Sequence, residues 1–153
     1  MKTIQNWLDE YGESHQNPTN KAIHWICVPS IFFSVVALLY SVSLHLIIFN
    51  VPLTLAHVAL LFILVYYIIL SIPLAIGMMF FSLICLTICN AIAMIGFRLW
   101  IVALIVFGAG WIGQFIGHKI EGKKPSFLKD IQFLMIGPAW LMSDLFRKLN
   151  IKL

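Results

Sequence analysis

Between Ala22 and Gly117 the chain carries only one formal charge, Arg98. Soluble domains have about 25% charged residues spread along the chain, whereas this chain of 153 residues has 10%. An uncharged stretch of this length exceeds what a soluble core requires, but it suits several successive helices in a bilayer. The sequence therefore predicts an all-α, polytopic membrane helical bundle that forms a single integral membrane domain over residues 1–153.

The apolar stretch divides into four segments long enough to cross a bilayer, since a spanning helix needs about 20 apolar residues. Pro52 and Pro73 mark two of the helix starts, and the Ser-Ile-Pro sequence ending at Pro73 favours a tight hairpin. Pro29 falls inside the first segment, where it favours a kink. The predicted spans are residues 22–42, 53–70, 73–97 and 99–117.

Two further segments flank the predicted spans. The N-terminal segment places Ile4, Trp7, Leu8 and Tyr11 on one helical stripe beside acidic residues, which predicts an interfacial helix and not a signal peptide. The apolar stretch at residues 131–145 contains a Gly-Pro pair and an aspartate. We therefore expect a re-entrant or interfacial helix there, and not a fifth span.

The positive charges predict which side of the membrane each segment occupies. Lysines precede the first span and cluster after the fourth, while the loop at residues 43–52 has none. By the positive-inside rule, both termini lie on the cytoplasmic side of a bacterial inner membrane or of the endoplasmic reticulum. The formal net charge of +4 comes mainly from the C-terminal third, which indicates contact with membrane lipid and not with nucleic acid.

A first polar cluster lies at the predicted cytoplasmic start of the first span. Asn17 and Pro18 form a typical helix start, with the asparagine as N-cap and the proline at the first helical position. Asn17, Asn20 and His24 are spaced by three and four residues, so they share one helical face. His15 precedes the cap and can fold back over that face. The structural alternative is that Asn17 only caps the helix and His24 sits at the headgroup level.

A second polar cluster lies at the predicted cytoplasmic end of the fourth span. Trp111, Gln114, His118 and Glu121 follow one helical stripe. Polar groups at such depth indicate a functional site by default, although a hydrogen-bonded strip between packed helices is the structural alternative. Three glycines leave the opposite side of this helix thin enough for close packing: Gly110, Gly113 and Gly117.

Together the clusters offer three imidazoles and one carboxylate on one side of the bilayer. This set suits a first-row metal with open coordination positions, iron above all when oxygen chemistry follows, although zinc accepts the same ligands. Asn17, Asn20 and Gln114 are candidates for hydrogen bonds to the ligands or to bound oxygen species. His45 and His57 fall toward the opposite face, so we assign them interfacial or interhelical hydrogen bonds.

The two clusters resemble the motifs of the 2-hydroxy fatty acid dioxygenase family. The similarity covers the chain from Leu8 to about Phe146, and its two polar motifs are specific, whereas the spans between them are generic. The first motif is His15-x-Asn17-Pro18-x-Asn20-x-x-x-His24. The second is Gly110-Trp111-Ile112-x-Gln114-Phe115-x-Gly117-His118-x-x-x-Gly122, with Glu121 and Pro125.

This resemblance implies an integral membrane, Fe(II)-dependent dioxygenase that needs no 2-oxoglutarate. It implies that a 2-hydroxy long-chain fatty acid reacts with O2 in an α-oxidation, which releases CO2 and leaves the acid one carbon shorter. It places the metal ligands at His15, His24 and His118. Glu121 is then either a further ligand or a base beside the metal.

A function of another class remains open: a small membrane carrier or assembly protein in which the polar stripe only holds helices together. A carrier would place polar groups near mid-membrane with a path to both faces. Here the opposite half of the bundle offers few conspicuous polar groups, namely Asn50, His57 and Asn90. The sequence also leaves the chain length of the substrate and the oligomeric state open.

Overall fold

The computed structural model describes residues 3–48, 51–124 and 133–151. Of the residues that the structure describes, 79% are helical, which confirms the predicted all-helical class. In chain order the elements are α1 (Ile4–Gly12), α2 (Pro18–Tyr40), β1 (Ser43–Ile48), β2 (Val51–Thr54), α3 (Leu55–Leu70), α4 (Ile72–Met94), α5 (Leu99–Glu121) and α6 (Phe133–Lys148).

Three of the described helices, α2, α4 and α5, are long and apolar enough to cross a membrane, each with 23 residues. They correspond to the first, third and fourth predicted spans. Helix α3 is equally apolar but has 16 residues. At a rise of 1.5 Å per residue that is roughly 24 Å, less than a hydrocarbon core of about 30 Å. The helices therefore indicate a membrane protein with three candidate spans, and the fourth crossing stays a prediction.

The connection between α2 and α3 contains a β-hairpin, where the sequence predicts a loop at residues 43–52. Strands β1 and β2 pair antiparallel, with Ser43 opposite Thr54. The segment is rich in leucine, isoleucine and valine, and the β-branched members of this set favour strands. Because strand β2 extends to Thr54, α3 begins at Leu55 and not at residue 53 as predicted. Thr54 is the N-cap of α3, and its N–H donates to Nδ1 of His57 at 3.1 Å.

Local capping signals place the starts of α2 and α4 close to where the sequence predicts them. The side chain of Asn17 accepts hydrogen bonds from two backbone N–H groups of the first turn of α2, and Pro18 follows at the first helical position. Ser71 ends α3 and caps α4, which produces the predicted tight hairpin. In α1 the predicted apolar stripe is directed inward, with Leu8 and Tyr11 buried.

Helix α2 is at the centre of the bundle and packs against α3, α4, α5 and α6. Its most extensive interface is with α5, where glycines allow the two backbones to approach closely. The close approaches are Gly110 to Ile31, Gly113 to Cys27 and Gly117 to Asn20.

The sequence predicts that the glycines of α5 lie opposite its polar stripe. In the structure they lie beside that stripe. Successive helical residues are about 100° apart, so Gly117 and His118 flank one interface. Gly117 meets the side chain of Asn20 on α2, and His118 lies against His24 of the same helix. The close packing of the two helices thus brings the two polar clusters together.

Helices α1 and α6 pack on each other at the end of the bundle where α2 begins and α5 ends. The ring of Trp7 meets Phe133 edge-on, with centroids 5.5 Å apart. The Tyr67 hydroxyl donates to the carbonyl of Met135 at 2.6 Å, which fixes α6 to α3. The predicted C-terminal helix is present from Phe133 onward, and its re-entrant or interfacial placement stays a prediction.

We expect Gly117→Ala to destabilise the protein by about 1–3 kcal/mol, as overpacked cores do. The new methyl group would meet the amide of Asn20, which cannot retreat without losing its hydrogen bonds to Ser14 and Glu121. The matched control is Gly108→Ala on the same helix, where an added methyl group meets no described atom within 4 Å. Thermal unfolding in detergent should show a lower midpoint for Gly117→Ala only, and equal midpoints would contradict this account of the interface.

Candidate metal centre

Three histidines meet at the end of the bundle where α2 begins and α5 ends. His15 comes from the segment between α1 and α2, His24 from the second turn of α2, and His118 from the last turn of α5. All three are buried, and one nitrogen of each lies within 4.8 Å of the others. The ring centroids are 4.3 to 5.0 Å apart. The structure therefore brings together the three histidines that the sequence singles out.

The hydrogen bonds of these histidines leave one nitrogen of each ring without a partner. Nδ1 of His15 lies 2.6 Å from the carbonyl oxygen of Tyr11, and Nδ1 of His24 lies 2.9 Å from that of Asn20. A carbonyl only accepts, so each Nδ1 carries the proton and each Nε2 keeps its lone pair. Among the described residues, Nε2 of His15, Nε2 of His24 and Nδ1 of His118 have no hydrogen-bond partner.

Unpartnered nitrogens of this kind fit a metal ion better than a packing contact. Buried polar atoms in native proteins are almost always hydrogen-bonded, and exceptions call for a specific explanation such as an ion. An imidazole that donates one N–H to a backbone carbonyl and offers the other nitrogen to a metal is a usual arrangement in metal sites. The three rings thus meet the chemical requirement for holding a transition metal.

The protonation state of His15 agrees with this interpretation. Burial, together with the neighbouring His24, lowers the pKa of His15 to about 3. The imidazole is therefore neutral near pH 7, and only the neutral form has a lone pair to offer a metal.

Glu121 binds the start of α2 and is not a member of the histidine cluster. One carboxylate oxygen accepts the Gln16 N–H at 2.8 Å, and the other accepts the Asn17 N–H at 2.9 Å and the Asn20 side-chain amide at 3.0 Å. A carboxylate at a helix N-terminus also interacts favourably with the helix dipole. Glu121 therefore joins the end of α5, which carries His118, to the start of α2, which lies between His15 and His24.

The other predicted site residues lie near the cluster in different positions. Asn17 caps α2 and accepts the Thr19 N–H at 2.9 Å, so its side chain serves the backbone. Asn20 is buried and donates to Glu121 and to the Ser14 carbonyl. Gln114 is buried one helical turn before His118, and the two line a common cavity.

The sequence interpretation missed two aromatic residues that pack on His15. The ring of Tyr11 stacks on the imidazole with centroids 4.2 Å apart and planes 10° apart, and its carbonyl accepts the His15 hydrogen bond. The ring of Trp140 lies 5.5 Å from the same imidazole. Tyr11 precedes His15 by four residues, a spacing that was visible in the sequence, whereas the contact of Trp140 depends on how α6 folds back.

His45 and His57 are remote from the cluster, as the sequence predicts. Nδ1 of His57 lies 2.9 Å from the hydroxyl of Thr54 at the start of α3, and its ring lies 5.9 Å from Tyr40. His45 is exposed on β1. Both lie at the end of the bundle opposite the three buried histidines.

An apolar cavity of about 400 Å³ begins at the histidine cluster and continues along α2. His118, Gln114 and Tyr11 line its polar end. The remainder is lined by apolar and aromatic side chains of α2, α3, α5 and α6. Its size is within the usual range for pockets that bind small molecules, roughly 300–1,000 Å³.

The geometry of this site can be compared with known proteins. The chain matches the family described as 2-hydroxy-palmitic acid dioxygenase Mpo1-like over residues 1–149. It is also 30% identical over 154 residues to the 2-hydroxy-palmitic acid dioxygenase MPO1 of Saccharomyces cerevisiae, an alignment that covers 96% of this chain and 82% of that protein. No solved structure matches the chain. Because the family match extends over nearly all of the chain, this protein belongs to the Mpo1-like family, which confirms the resemblance of its two polar motifs.

Proposed function

We propose that the protein is an Fe(II)-dependent membrane dioxygenase that converts a 2-hydroxy long-chain fatty acid to the fatty acid one carbon shorter. The observation that carries the proposal is the convergence of three unpartnered imidazole nitrogens at the end of an apolar cavity. Family membership and the name of the relative support the dioxygenase class and the substrate class.

His15, His24 and His118 would hold the metal through the nitrogens that have no other described partner. Iron supplies the redox chemistry toward O2 that zinc, which accepts the same ligands, lacks. The reaction balances without a further reductant: the 2-hydroxy acid and O2 give the shortened acid, CO2 and water. Since the substrate itself supplies the four electrons that reduce O2, the proposal requires no 2-oxoglutarate.

The cavity and Gln114 would bind and orient the substrate. Gln114 and His118 line the polar end of the cavity, so a carboxyl group placed there would meet an amide N–H beside the histidines. The hydrocarbon chain would occupy the apolar remainder and exclude water from the reacting end. Holding the 2-hydroxyl and carboxyl groups in one orientation beside the histidines would lower the entropic cost of the reaction.

Glu121, Asn17 and Asn20 would act as positioning residues. Both oxygens of Glu121 already accept hydrogen bonds, which favours a role in fixing the start of α2 over a role as metal ligand. The backbone carbonyl of Asn20 in turn accepts the hydrogen bond that orients His24. Through these bonds the carboxylate would keep His15 and His24 facing His118.

The proposal also includes four crossings, with both termini and the site on the cytoplasmic side. The course of α3 supports the fourth crossing. It begins beside the hairpin, where His57 meets Tyr40 at the end of α2, and it ends near α6, where Tyr67 binds Met135. A helix that connects opposite ends of the bundle would have to cross the membrane despite its 16 residues.

The reaction is tested by adding a 2-hydroxy long-chain acid to anaerobically purified protein loaded with Fe(II), and then admitting O2. We expect O2 consumption and formation of the acid one carbon shorter, detected by mass spectrometry. The matched acid without the 2-hydroxyl should be inert, because it lacks the group whose oxidation supplies the electrons. Turnover by metal-free protein, or an absolute requirement for 2-oxoglutarate, would contradict the proposal.

Glu121→Gln should slow turnover roughly tenfold or more, as changes to residues that orient metal ligands do. The amide NH2 of glutamine would face a backbone N–H of the α2 start, so at least one of the three hydrogen bonds would be lost. We expect kcat to fall more than the iron content, measured on the same preparation. The control Glu13→Gln, at an exposed position of the same surface, should leave both unchanged. Complete loss of iron from Glu121→Gln would instead assign Glu121 as a ligand.

A further inference from the structure

The apolar cavity is a groove lined by α2, α3 and α5, with Tyr11 and side chains of α6 at the histidine end. Helix α2 packs extensively against both α3 and α5, whereas α3 and α5 come together mainly at the end of the bundle where Leu60 and Leu99 share a packed cluster. The gap between them lies over α2, and the cavity follows it. Val35 of α2 lines this gap and is 41% exposed, so the groove opens sideways toward the region that lipid would occupy.

The groove has a polar end and a closed apolar end. Gln114 and His118 line the polar end. At the other end the lining residues Val36 and Leu60 are buried, and they belong to a packed cluster that includes Leu99. The groove therefore stops where α2, α3 and α5 close into a solid core.

Its length follows from the helices that line it. On α2 the lining extends from Val28 to Leu39, and on α5 from His118 to Phe107. Each stretch rises by eleven residues, which is roughly 16 Å at 1.5 Å per residue. An extended hydrocarbon chain advances about 1.3 Å per carbon, slightly less than that helical rise, so the groove accommodates about a dozen carbons.

We infer that this groove admits the substrate sideways from the bilayer and that its closed end sets the longest acyl chain the enzyme accepts. The inference rests on the proposed function and adds to it the entry route and the residues that determine chain length. A bilayer gives no hydrophobic preference for the groove over lipid, since both are apolar. Selection must then come from two constraints: the head must reach the histidines, and the chain must end before the packed core.

Ala59 is the best position at which to shorten the space available to the acyl chain. It is a small residue on the α3 wall, one position before Leu60, and it is half-buried, so a larger side chain can project into the groove without entering the packed core. Leu39 on α2 lines the closed end, so a smaller side chain at this position would lengthen the groove. Ala109 on α5 is exposed and does not line the groove, which makes it a matched control position.

The first test compares kcat/KM over saturated 2-hydroxy acids from 2-hydroxyoctanoic to 2-hydroxyoctadecanoic acid. Ala59→Phe should lower kcat/KM for the longest acids by about tenfold or more, a typical effect of misfit in an apolar pocket, while the shortest acids react as with the unmodified protein. Leu39→Ala should shift the preference toward longer acids, and Ala109→Phe should change nothing. An unaltered length preference in both groove variants, or an equal loss for all acids in Ala59→Phe, would overturn the inference.

A second test does not depend on turnover and so separates this inference from the proposed function. A 2-hydroxytetradecanoic acid, in which a dozen carbons follow the two reacting carbons, carries a photoreactive diazirine at its terminal carbon. It is added to the purified protein and irradiated, and the labelled peptides are then mapped. Label should concentrate on the α2, α3 and α5 residues of the closed end, and Ala59→Phe should reduce it while Ala109→Phe does not. Such labelling without any turnover would refute the proposed reaction and retain the groove. Turnover with label spread evenly over lipid-exposed residues of α4 would retain the reaction and refute the groove.

Discussion

The close packing of α5 on α2 is the contact on which the rest of the site depends. Glycines at Gly110, Gly113 and Gly117 let the two helices approach until His118 lies beside His24. The same approach brings the carboxylate at the end of α5 to the free N–H groups at the start of α2. In a membrane, where little else can satisfy polar groups, such an arrangement places Glu121 and the three buried histidines together at one end of the bundle.

Most polar groups around the histidine cluster have hydrogen-bond partners, and the few that lack one lie together at the site. The caps of α1 and α2 and both oxygens of Glu121 have hydrogen-bond partners, whereas three buried imidazole nitrogens and the neighbouring Oδ1 of Asn20 have none among the described residues. An unsatisfied buried polar atom costs about 1–3 kcal/mol, and natural proteins tolerate such departures mainly at functional sites. A bound metal would recover this cost, because its binding free energy then contributes to folding.

Much of the site could be predicted from the sequence, because it depends on local signals. The cap at Asn17 and helical periodicity put the polar residues of each helix on one face, and the number of apolar spans together with the lysine distribution predicts that His24 and His118 lie on the same side of the membrane. The paired strands Ser43–Ile48 and Val51–Thr54 could not be predicted in this way, because a short run of apolar β-branched residues suits a strand or a membrane helix equally. The role of Glu121 as a partner of backbone N–H groups, and the groove between α3 and α5, depend on which helices pack together, and one sequence does not record this.

Metal analysis of the detergent-purified protein tests the central claim most directly. Iron is quantified per polypeptide for the unmodified chain and for alanine variants of each histidine, with circular dichroism to establish that each variant is folded. We expect His15→Ala, His24→Ala and His118→Ala to lose most of the iron while His45→Ala and His57→Ala retain it, because only the first three share unpartnered nitrogens at one point. Equal iron loss in all five variants, or undiminished iron in the first three, would contradict the assignment of these histidines as a metal centre.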